Sequence, residues 1–569
     1  MDTFIIVDGY TDEPAGLGVP PYLDVYPRYV AGAIWSVIPS ARVLYFTIDE
    51  VRAKFDEFLG LAQKARVVIV IAGVAVPGKY LGGTPITLSE LELLSRIIEK
   101  PIKILGGPVA MFGIGSEGGR VAELPDRLKE DYDLVVKGDI ELAVYELLVN
   151  NYSLEKVSTE ITRRDYRLIN TFARRGAKIV MQHPNYSRNL IVEIETFRGC
   201  PRYIVGGCSF CIEPLYGSVV FRPIEDILLE IEALYSFGVD CFRIGRQTDL
   251  YSYMAKDVGK EEFPKPNPQA IEALFRGIRN IAPRLRVLHI DNVNPGTLAH
   301  HEKEAREITK IIIEYHTPGD VAALGVESAD PRVIKLNNLK ATPEESMKAI
   351  EILNEIGRRR GYNGLPELLP GVNFVAGLLG ETKETYILNY EFLREVLARG
   401  LLLRRINIRQ VLVFPHTRMW EVGIRIIARH KRYFHAFKKK VRENIDRIML
   451  ERVIPRYTVL KDVFTEAYKG EYTLARQVGA YPILVYIPYR IPLFRYIDVA
   501  VVDYGYRSIT GLPTPLNINS APRKVLEKVP GLGRSTVAEI LSKRPLKRLK
   551  DLNGIETPIR LSLEDRFRF

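Results

Sequence analysis

Strand and helix patterns alternate through the middle of this chain of 569 residues, and that alternation limits the possible folds more than any other feature. Six short apolar runs between residues 190 and 414 have the length and composition of buried strands, and helical patterns separate them. Six strand–helix units in succession favour a parallel barrel, open or closed, whose chemistry occurs at the carboxyl ends of its strands. The predicted strands are Ile191–Thr196, Cys241–Ile244, Val287–Ile290, Ala322–Gly325, Asn373–Ala376 and Arg405–Leu412.

The first 150 residues show a second, separate alternation. It predicts a doubly wound, Rossmann-like parallel sheet with helices on both faces. Thr87 and Glu90 form a capping box that predicts the start of one helix. The predicted strands are Phe4–Val7, Val43–Phe46, Val67–Ile71, Ile102–Leu105 and Leu134–Val136, and the predicted helices lie near Pro27–Ile38, Glu50–Gln63 and Leu88–Ile98.

The whole chain is therefore predicted to be an α/β protein with appendages. Composition changes after Pro415, first to a basic helical stretch, then to a segment rich in Tyr, Ile, Val and Pro that predicts a small β domain. The predicted segments are a Rossmann-like domain over 1–150, a polar linker over 151–185, a (β/α)6 partial barrel over 186–424, a basic helical segment over 425–471, a small β domain over 472–512 and a helical module over 513–569.

Charge is unevenly distributed along the chain. The net charge is +11, but residues 1–150 hold 14 Lys and Arg against 21 Asp and Glu, whereas residues 513–569 hold 12 against 6. This asymmetry favours a polyanionic partner, and the alternative is a charge-rich surface of the thermophile kind. Four cysteines indicate a reducing compartment, and no apolar run reaches the roughly 20 residues of a membrane span. We expect a cytoplasmic protein with no membrane partner and no signal peptide.

Three of the four cysteines are close together in the sequence. Cys200, Cys208 and Cys211 lie on a glycine-containing loop just after the first predicted barrel strand. Three thiolates at this spacing favour a metal site over a disulfide framework. A zinc site completed by a distant histidine is an alternative, although no histidine flanks the loop. Cys241 begins an apolar strand and is interpreted as a buried structural thiol.

The motif Cys200-x7-Cys208-x2-Cys211, with Phe210 before the last cysteine, resembles the cluster loop of the radical S-adenosylmethionine (SAM) enzymes. The usual spacing is x3 and then x2, so this loop is four residues longer, which a flexible loop tolerates at small entropic cost. The resemblance extends over about residues 186–420 and includes the segments 325–337 and 374–382. The segments 104–108 and 135–141 also resemble the branch of the family that has an N-terminal cobalamin-binding-type domain.

This resemblance implies cofactors, a reaction and a partner. The cysteines would hold three irons of a [4Fe–4S] cluster, and a reduced cluster would cleave SAM to a 5′-deoxyadenosyl radical. An electron donor of the ferredoxin or flavodoxin type is implied. By family position, the cofactor-binding residues would be Gly245, Arg246 and Gln247 near the methionine, Asp291 and Asn292 at the ribose, and Glu327 and Ser328 facing the cavity. Loop capping by Asp291 and Asn292, and a structural ion pair of Arg246, are the alternatives.

The resemblance to this branch raises the question of whether the N-terminal domain binds cobalamin. Residues 1–182 contain no histidine, which excludes the Asp-x-His-x-x-Gly mode of cobalamin binding. Cobalamin bound without a histidine, and a domain that only packs over the barrel mouth, both stay open. Because the chain has only one cysteine besides the trio, cysteine alone cannot hold a full second cluster, which argues against a methylthiotransferase.

Residues 526–540, with the turn Pro530-Gly531-Leu532-Gly533, resemble a helix–hairpin–helix. Such a turn exposes backbone N–H groups that bind a phosphate without reading sequence. The candidate nucleic-acid contacts are Gly531, Gly533, Arg534, Lys543 and Arg544. A hairpin that packs against protein is the alternative, and the basic aromatic stretch 431–442 is interpreted first as a solvated helix face.

The sequence predicts a radical SAM enzyme that modifies a nucleic acid, with tRNA as the first candidate. One alternative is a radical SAM enzyme, including a cobalamin-dependent methyltransferase, that acts on a small molecule or lipid. Another is a non-catalytic nucleic-acid-binding protein with a structural cluster.

Overall fold

The computed structural model describes residues 2–11, 21–74, 83–115, 118–549 and 556–568. In chain order it contains a five-stranded parallel sheet, a curved parallel sheet in two connected parts, a closed five-stranded barrel and a small C-terminal module. Within these residues no helix combines the length and the apolar character needed to cross a membrane.

The N-terminal layer is the doubly wound sheet that the alternation predicts. The strands in this part are β1 (Thr3–Asp8), β2 (Tyr22–Leu23), β3 (Arg42–Thr47), β4 (Val67–Ile71), β5 (Ile102–Gly106) and β6 (Leu134–Val135). The sheet order is β3-β1-β4-β5-β6 with all pairs parallel, which is the order of flavodoxin-like folds. The helices are α1 (Val25–Val37), α2 (Ile48–Ala53), α3 (Phe55–Ala62), α4 (Leu88–Ile97), α5 (Pro108–Phe112), α6 (Asp126–Asp131) and α7 (Ile140–Val149).

Capping boxes set two helix starts in this layer. The predicted box of Thr87 and Glu90 is present at α4, and Thr47 and Glu50 form another at α2. The single helix predicted near Glu50–Gln63 is two helices instead. They meet at Lys54, whose backbone (φ −132°) leaves helical geometry.

The segment predicted as a linker, 151–185, is packed structure. It contains helix α8 (Arg167–Gly176) and a 3-10 helix (Ala177–Gln182). Ile169, Phe172 and Ala173 are fully buried, because their i, i+3, i+4 spacing places them on one helix face against α1. The prediction of a polar linker was wrong because the polar residues of the other helix face dominate the composition.

The central region is the predicted parallel barrel. Its strands are β7 (Ile191–Glu195), β8 (Phe197–Arg198), β9 (Val220–Phe221), β10 (Cys241–Gly245), β11 (Val287–Ile290), β12 (Asn292–Val293), β13 (Asp320–Glu327), β14 (Leu368–Ala376) and β15 (Arg405–Gln410). Two four-stranded sheets, β11-β10-β7-β2 and β12-β13-β14-β15, follow one another because only Asp291 separates β11 from β12. All six predicted strands are present, and β2 adds a further parallel strand beside β7.

Helices separate the barrel strands as predicted, and Thr342 with Glu345 caps one of them. They are α9 (Ile224–Ser236), α10 (Pro268–Ile281), α11 (Pro295–His300), α12 (Glu302–Tyr315), α13 (Pro331–Leu336), α14 (Pro343–Gly357), α15 (Lys383–Ala398) and α16 (Met419–Val422).

The basic helical segment predicted over 425–471 ends earlier than expected. Helix α17 (Arg425–Val441) continues through a π-helical turn into α18 (Arg447–Val453). A strand then begins at Val459, so the small β domain predicted over 472–512 is larger and covers 459–513. The charge of the segment concealed the strand, because Lys461, Asp462 and Glu466 interrupt its apolar residues.

The β domain is a closed barrel. Its strands are β16 (Val459–Lys469), β17 (Tyr472–Gln477), β18 (Leu484–Ile487), β19 (Tyr496–Tyr504) and β20 (Ser508–Pro513). They close in the order β16-β17-β18-β20-β19, and β18 and β20 form the one parallel pair. This order, with its third and fifth strands parallel, is that of an OB-fold.

The loop after β17 fills the amino-terminal end of the central barrel. The Ala480 N–H donates to His289 Nδ1 at 3.0 Å, and the Tyr22 hydroxyl donates to the Gly479 carbonyl at 3.0 Å. The Arg405 guanidinium lies 4.1 Å from the centre of the Tyr481 ring. The OB-type barrel therefore closes the floor of the central barrel, at the end opposite the carboxyl ends of its strands.

The C-terminal module is small. It comprises β21 (Leu516–Asn517), α19 (Arg523–Leu526), α20 (Arg534–Ser542) and β22 (Leu561–Ser562), with β21 and β22 parallel. The Tyr496 N–H donates to the Arg568 carbonyl at 2.8 Å, which connects the module to the OB-type barrel. The helices α19 and α20 flank the Pro-Gly-x-Gly turn. The assignment of this module as a helix–hairpin–helix stays a prediction.

Candidate functional site

The cysteine loop follows the first barrel strand at its carboxyl end. Cys200 precedes a 3-10 helix (Pro201–Val205) formed by the residues that lengthen the spacing. Gly199, Gly206 and Gly207 have φ of +90°, +77° and +59°, a left-handed backbone that glycine adopts without strain. The Cys211 N–H donates to the Cys208 carbonyl at 3.2 Å and turns the end of the loop. The longer spacer is thus an ordered helical turn between the first two cysteines.

The thiols lie close enough to influence one another's ionisation. Burial, with a smaller contribution from the neighbouring Cys208, raises the pKa of Cys200 to about 11. Burial also raises the pKa of Cys211 well above its usual value, with added repulsion from Glu213 and the other two thiols. These thiols would be ionised only with strong positive charge beside them, which is what bound iron supplies.

Two cations of the chain lie beside the thiols. The Arg202 guanidinium is buried and donates from Nη1 to Cys208 Sγ at 3.3 Å. Glu262 holds the same guanidinium through Nε at 2.8 Å. Burial lowers the pKa of Lys340, but Glu327 and the three thiols together raise it above its usual value. Neither cation belongs to the residues predicted from the sequence.

The three thiols are a donor set that fits an iron–sulfur cluster. Among the described residues, no three His, Cys, Asp or Glu side chains converge on a position for a single ion. In a [4Fe–4S] cluster each thiolate binds a different iron, so three cysteines on one loop need not converge on a single point. Cys200, Cys208 and Cys211 are the residues that would hold it.

Asn337 and Asn338 fix this loop to the barrel. The Ser209 N–H donates to the Asn337 carbonyl at 2.9 Å, and the Ser209 hydroxyl donates to Asn337 Oδ1 at 2.7 Å. Asn338 Nδ2 donates to the carbonyls of Val205 and Gly207 at 2.8 and 3.0 Å. Sequence reasoning missed both residues, and the one signal for them is an Asn-Asn pair directly after a short helix.

The second strand end contacts the cysteine loop. Thr248 Oγ1 donates to the Gly199 carbonyl at 3.2 Å. Gln247 is buried and accepts from Thr196 Oγ1 at 3.1 Å, and Asn292 Nδ2 lies 3.4 Å from the Gln247 carbonyl. These contacts bring two of the predicted SAM-binding residues, Gln247 and Asn292, next to each other at the mouth.

The neighbouring predicted residues on this strand have structural contacts as well. A Cβ at Gly245 would lie 2.2 Å from Glu193 Oε1, so a larger residue would have to displace the buried ion pair of Glu193 and Arg243. Arg246 Nη2 donates to the Tyr26 hydroxyl at 2.6 Å, and its Nε lies 3.6 Å from Asp24. Burial lowers the pKa of Arg246 to about 9. The structural pairing that the sequence left open is therefore present, and roles toward SAM stay predictions.

Glu327 and Ser328 lie at the end of β13, beside Lys340. Glu327 has φ +61° after a bulge, and its carboxylate lies 3.9 Å from Lys340 Nζ. Burial raises the pKa of Glu327, and Lys340 opposes this rise. The Ser328 hydroxyl instead accepts from the Asp330 N–H at 3.2 Å. Left-handed non-glycine residues at two strand ends, Arg246 and Glu327, are strained conformations of the kind that cluster at functional sites.

Asp291 lies deeper, toward the floor. Its carboxylate accepts a hydrogen bond from the hydroxyl of Tyr481, which belongs to the loop after β17, and lies 3.6 Å from Arg243. The Asp291 carboxylate therefore already has two partners, Tyr481 and Arg243, on the interior side of the barrel. Its predicted contact with the ribose stays a prediction.

The predicted nucleic-acid residues surround the C-terminal turn. Gly531 has φ +86°, and a Cβ there would lie 1.9 Å from the Glu556 carbonyl. Gly533 directly precedes α20, and Arg534 is exposed. Lys543 pairs with Glu539 at 2.7 Å, and Arg544 donates to the Ala521 carbonyl at 2.6 Å. Arg544 therefore has a structural role within the module.

Comparison with known proteins gives a consistent assignment of the central region. The family model described as the radical SAM superfamily matches residues 194–393. The uncharacterized protein MJ0274 of Methanocaldococcus jannaschii is 48% identical over 511 residues, which are 89% of this chain and 92% of that protein.

More distant similarity reaches proteins with named activities. A ribosomal protein uS12 methylthiotransferase, RimO of Ralstonia nicotianae, is 22% identical over 57% of this chain and 66% of its own length. A radical S-adenosylmethionine methyltransferase, TsrM from Kitasatospora setae, superposes with a TM-score of 0.49 at 14% identity, over 74% of this chain and 75% of that one.

Proposed function

Because the chain belongs to the radical SAM superfamily, whose enzymes use a [4Fe–4S] cluster and SAM, we propose that Cys200, Cys208 and Cys211 hold the cluster and that the enzyme modifies a nucleic acid. A tRNA is the first candidate substrate. When bound, the reduced cluster supplies the electron that cleaves SAM reductively, and the protein supplies placement and exclusion of water.

The chain's own residues suit the roles that the protein has in this reaction, which are placement of the cofactors and exclusion of water. Asn337 and Asn338 hold the cysteine loop at one position, and Gln247 and Asn292 present polar groups beside it. Lys340 and Glu327 form a charged pair on the thiol side of the mouth. At the opposite end, the loop after β17 of the OB-type barrel contacts the central barrel through Ala480 at His289 and Tyr481 at Arg405.

The observation that carries the nucleic-acid proposal is the OB-type barrel with an aromatic pair on its second and third strands. In OB-folds this face binds oligonucleotides or oligosaccharides. Tyr472 is 41% exposed, and its ring centre lies 6.0 Å from that of Tyr486. Lys469 Nζ lies 6.0 Å from the Tyr486 ring. Aromatic rings with an adjacent cation are typical of single-strand nucleic-acid binding.

A groove next to this face extends the proposed surface. It has a volume of about 420 Å³ and runs between the OB-type barrel and the C-terminal module. Arg490 and Lys524 line it together with Tyr489, and Glu471 and Asp565 are its acidic members. The exposed Arg534 at the start of α20 belongs to the same module.

The reaction class is tested on the full-length chain. Protein reconstituted anaerobically with iron and sulfide is reduced with dithionite in the presence of SAM, and 5′-deoxyadenosine is measured by chromatography. Its absence with a cluster verified as reduced would contradict the proposed cleavage. S-adenosylhomocysteine formed alongside would identify methyl transfer, and copurified corrinoid would identify cobalamin as a cofactor.

Tyr472→Ala is expected to weaken binding of unstructured RNA by roughly 5- to 100-fold, because stacking of one base on an aromatic ring contributes about 1–3 kcal/mol. Fluorescence anisotropy with labelled RNA at two salt concentrations measures the affinity. Tyr362→Ala is the matched control, since Tyr362 is exposed (62%) but lies outside this face. Equal affinity of both variants would remove the argument for this surface.

Arg202→Gln is expected to leave the cluster bound and to lower its midpoint potential by on the order of 50 mV. A cation beside a ligating sulfur favours the more negative, reduced cluster, so its loss disfavours reduction. Redox titration followed by electron paramagnetic resonance measures the potential. Arg276→Gln, on the exposed face of α10, is the control. An unchanged potential with unchanged iron content would contradict a role of Arg202 at the cluster.

A further inference from the structure

Five exposed large apolar side chains surround the cysteine loop. They are Ile204 (37% exposed), Val205 (40%), Leu336 (46%), Trp420 (47%) and Ile424 (43%), which together we call the loop patch. Single exposed apolar residues are ordinary, but a cluster with a polar rim marks an interaction surface. The loop patch shares no residue with the proposed nucleic-acid surface on the OB-type barrel.

Hydrogen bonds join the segments that carry the loop patch. The Gly207 carbonyl accepts from Asn338 Nδ2 at 3.0 Å and from Arg418 Nη2 at 2.8 Å. The Met419 N–H donates to the Ser209 carbonyl at 3.1 Å. The segments 204–209, 336–338 and 418–424 therefore meet near Gly207 and Ser209, which brings the parts of the chain that carry the loop patch together.

The rim of the loop patch is mainly basic. Arg332, Lys335, Arg418 and Arg425 are exposed on the segments that carry or border the patch, whereas Glu421 is the exposed acid among residues 418–425. Helix α17, which begins at Arg425, contains seven Lys and Arg and no Asp or Glu. Such a charge distribution attracts an acidic partner and orients it before contact.

The loop patch is also the surface nearest in the chain to a cluster ligand. Ile204 and Val205 belong to the 3-10 helix between Cys200 and Cys208, and only Gly206 and Gly207 separate Val205 from Cys208. Arg202, on the same helix, donates to Cys208 Sγ at 3.3 Å. A partner seated here would be separated from the thiol by this one ordered turn.

We propose that an acidic one-electron carrier protein docks on the loop patch, with its apolar centre over Trp420 and its carboxylates toward the basic rim. The carrier is oxidised by one electron and the cluster is reduced by one, and no bond, proton or leaving group is exchanged. This inference rests on the proposed function, since it requires the cluster to be held by the three cysteines. Four of the five side chains of the loop patch are aliphatic and offer no ring on which a base could stack, which favours a protein partner over a nucleic acid.

The test uses the reconstituted full-length enzyme and a small acidic ferredoxin as the probe. In the variant Trp420→Ser with Ile424→Ser, the Kd for the ferredoxin is expected to rise about 30-fold or more, because buried aromatic anchors dominate interface energetics. The rate of cluster reduction by the reduced ferredoxin is expected to fall to a similar degree, measured by absorbance and electron paramagnetic resonance. Reduction by dithionite, which needs no docking, is expected to be unchanged.

Leu93→Ser with Ile448→Ser is the matched control, since both residues are exposed apolar positions outside the loop patch. Unchanged ferredoxin affinity and reduction rate in the loop-patch variant would overturn the proposal. Loss of RNA binding with intact ferredoxin binding would also overturn it and assign the patch to a nucleic acid. If dithionite fails to generate a reduced cluster in the parent enzyme, the proposed function fails rather than the docking surface.

Discussion

Cys208→Ala is expected to remove the iron–sulfur cluster and, with it, all reductive cleavage of SAM. The cysteine loop supplies three thiolates, and the described part of the chain offers no other cysteine near them to replace one. Iron content after anaerobic reconstitution should fall from about four atoms per chain to less than about one. Formation of 5′-deoxyadenosine should fall to the level of a mixture without protein.

Cys241→Ala is the matched control for this loss. Cys241 begins β10 and is buried beside Tyr22, Ile191 and Val287, so its thiol has no access to the cysteine loop. Iron content and 5′-deoxyadenosine should match the parent chain. An intact cluster in Cys208→Ala, or zinc in place of iron in anaerobically prepared parent protein, would contradict the assignment of the three cysteines.

The six strands of the central barrel were predictable because their patterns are local. Val287–Ile290 has the predicted bounds, and the strand predicted as Ile191–Thr196 ends one residue earlier. The added strand β2 has only two residues, and its partner β7 lies far along the chain, so no local pattern reports the pairing. The closed OB-type barrel was not predictable for the same reason, since its closure depends on pairs between distant residues such as Val459 and Ala500.

The candidate site was predictable where chemistry limits the residue type. Cysteines at a short spacing have few uses in a reducing compartment, so Cys200, Cys208 and Cys211 stand out in the sequence. Arg202 and Asn337 do not, because Arg and Asn serve many purposes and only the folded chain brings them to the loop. Their roles depend on contacts across the barrel mouth, which residue identity and spacing do not specify.

A buried cluster of charges joins the N-terminal layer to the barrel. Glu230, on α9, accepts hydrogen bonds from Arg28 of α1 and from Arg222, and all three side chains are inaccessible to solvent. Burial alone would raise the pKa of Glu230, but the two guanidinium groups hold it below its usual value. Arg28 also donates to the Glu193 carbonyl of β7, so the same cation reaches the first barrel strand.

Glu230→Ala is expected to lower the free energy of unfolding by about 3–5 kcal/mol, because it leaves two buried guanidinium groups without their shared carboxylate. The attraction within such a cluster offsets a large desolvation cost, and removing one member leaves that cost in place. Glu232→Ala is the control on the same helix, and since Glu232 is exposed its effect should stay within about 0.5 kcal/mol. Chemical denaturation followed by circular dichroism measures both variants. Equal midpoints would show that the charges between α1 and α9 do not hold the N-terminal layer on the barrel, and that apolar packing of α1 against α8 suffices.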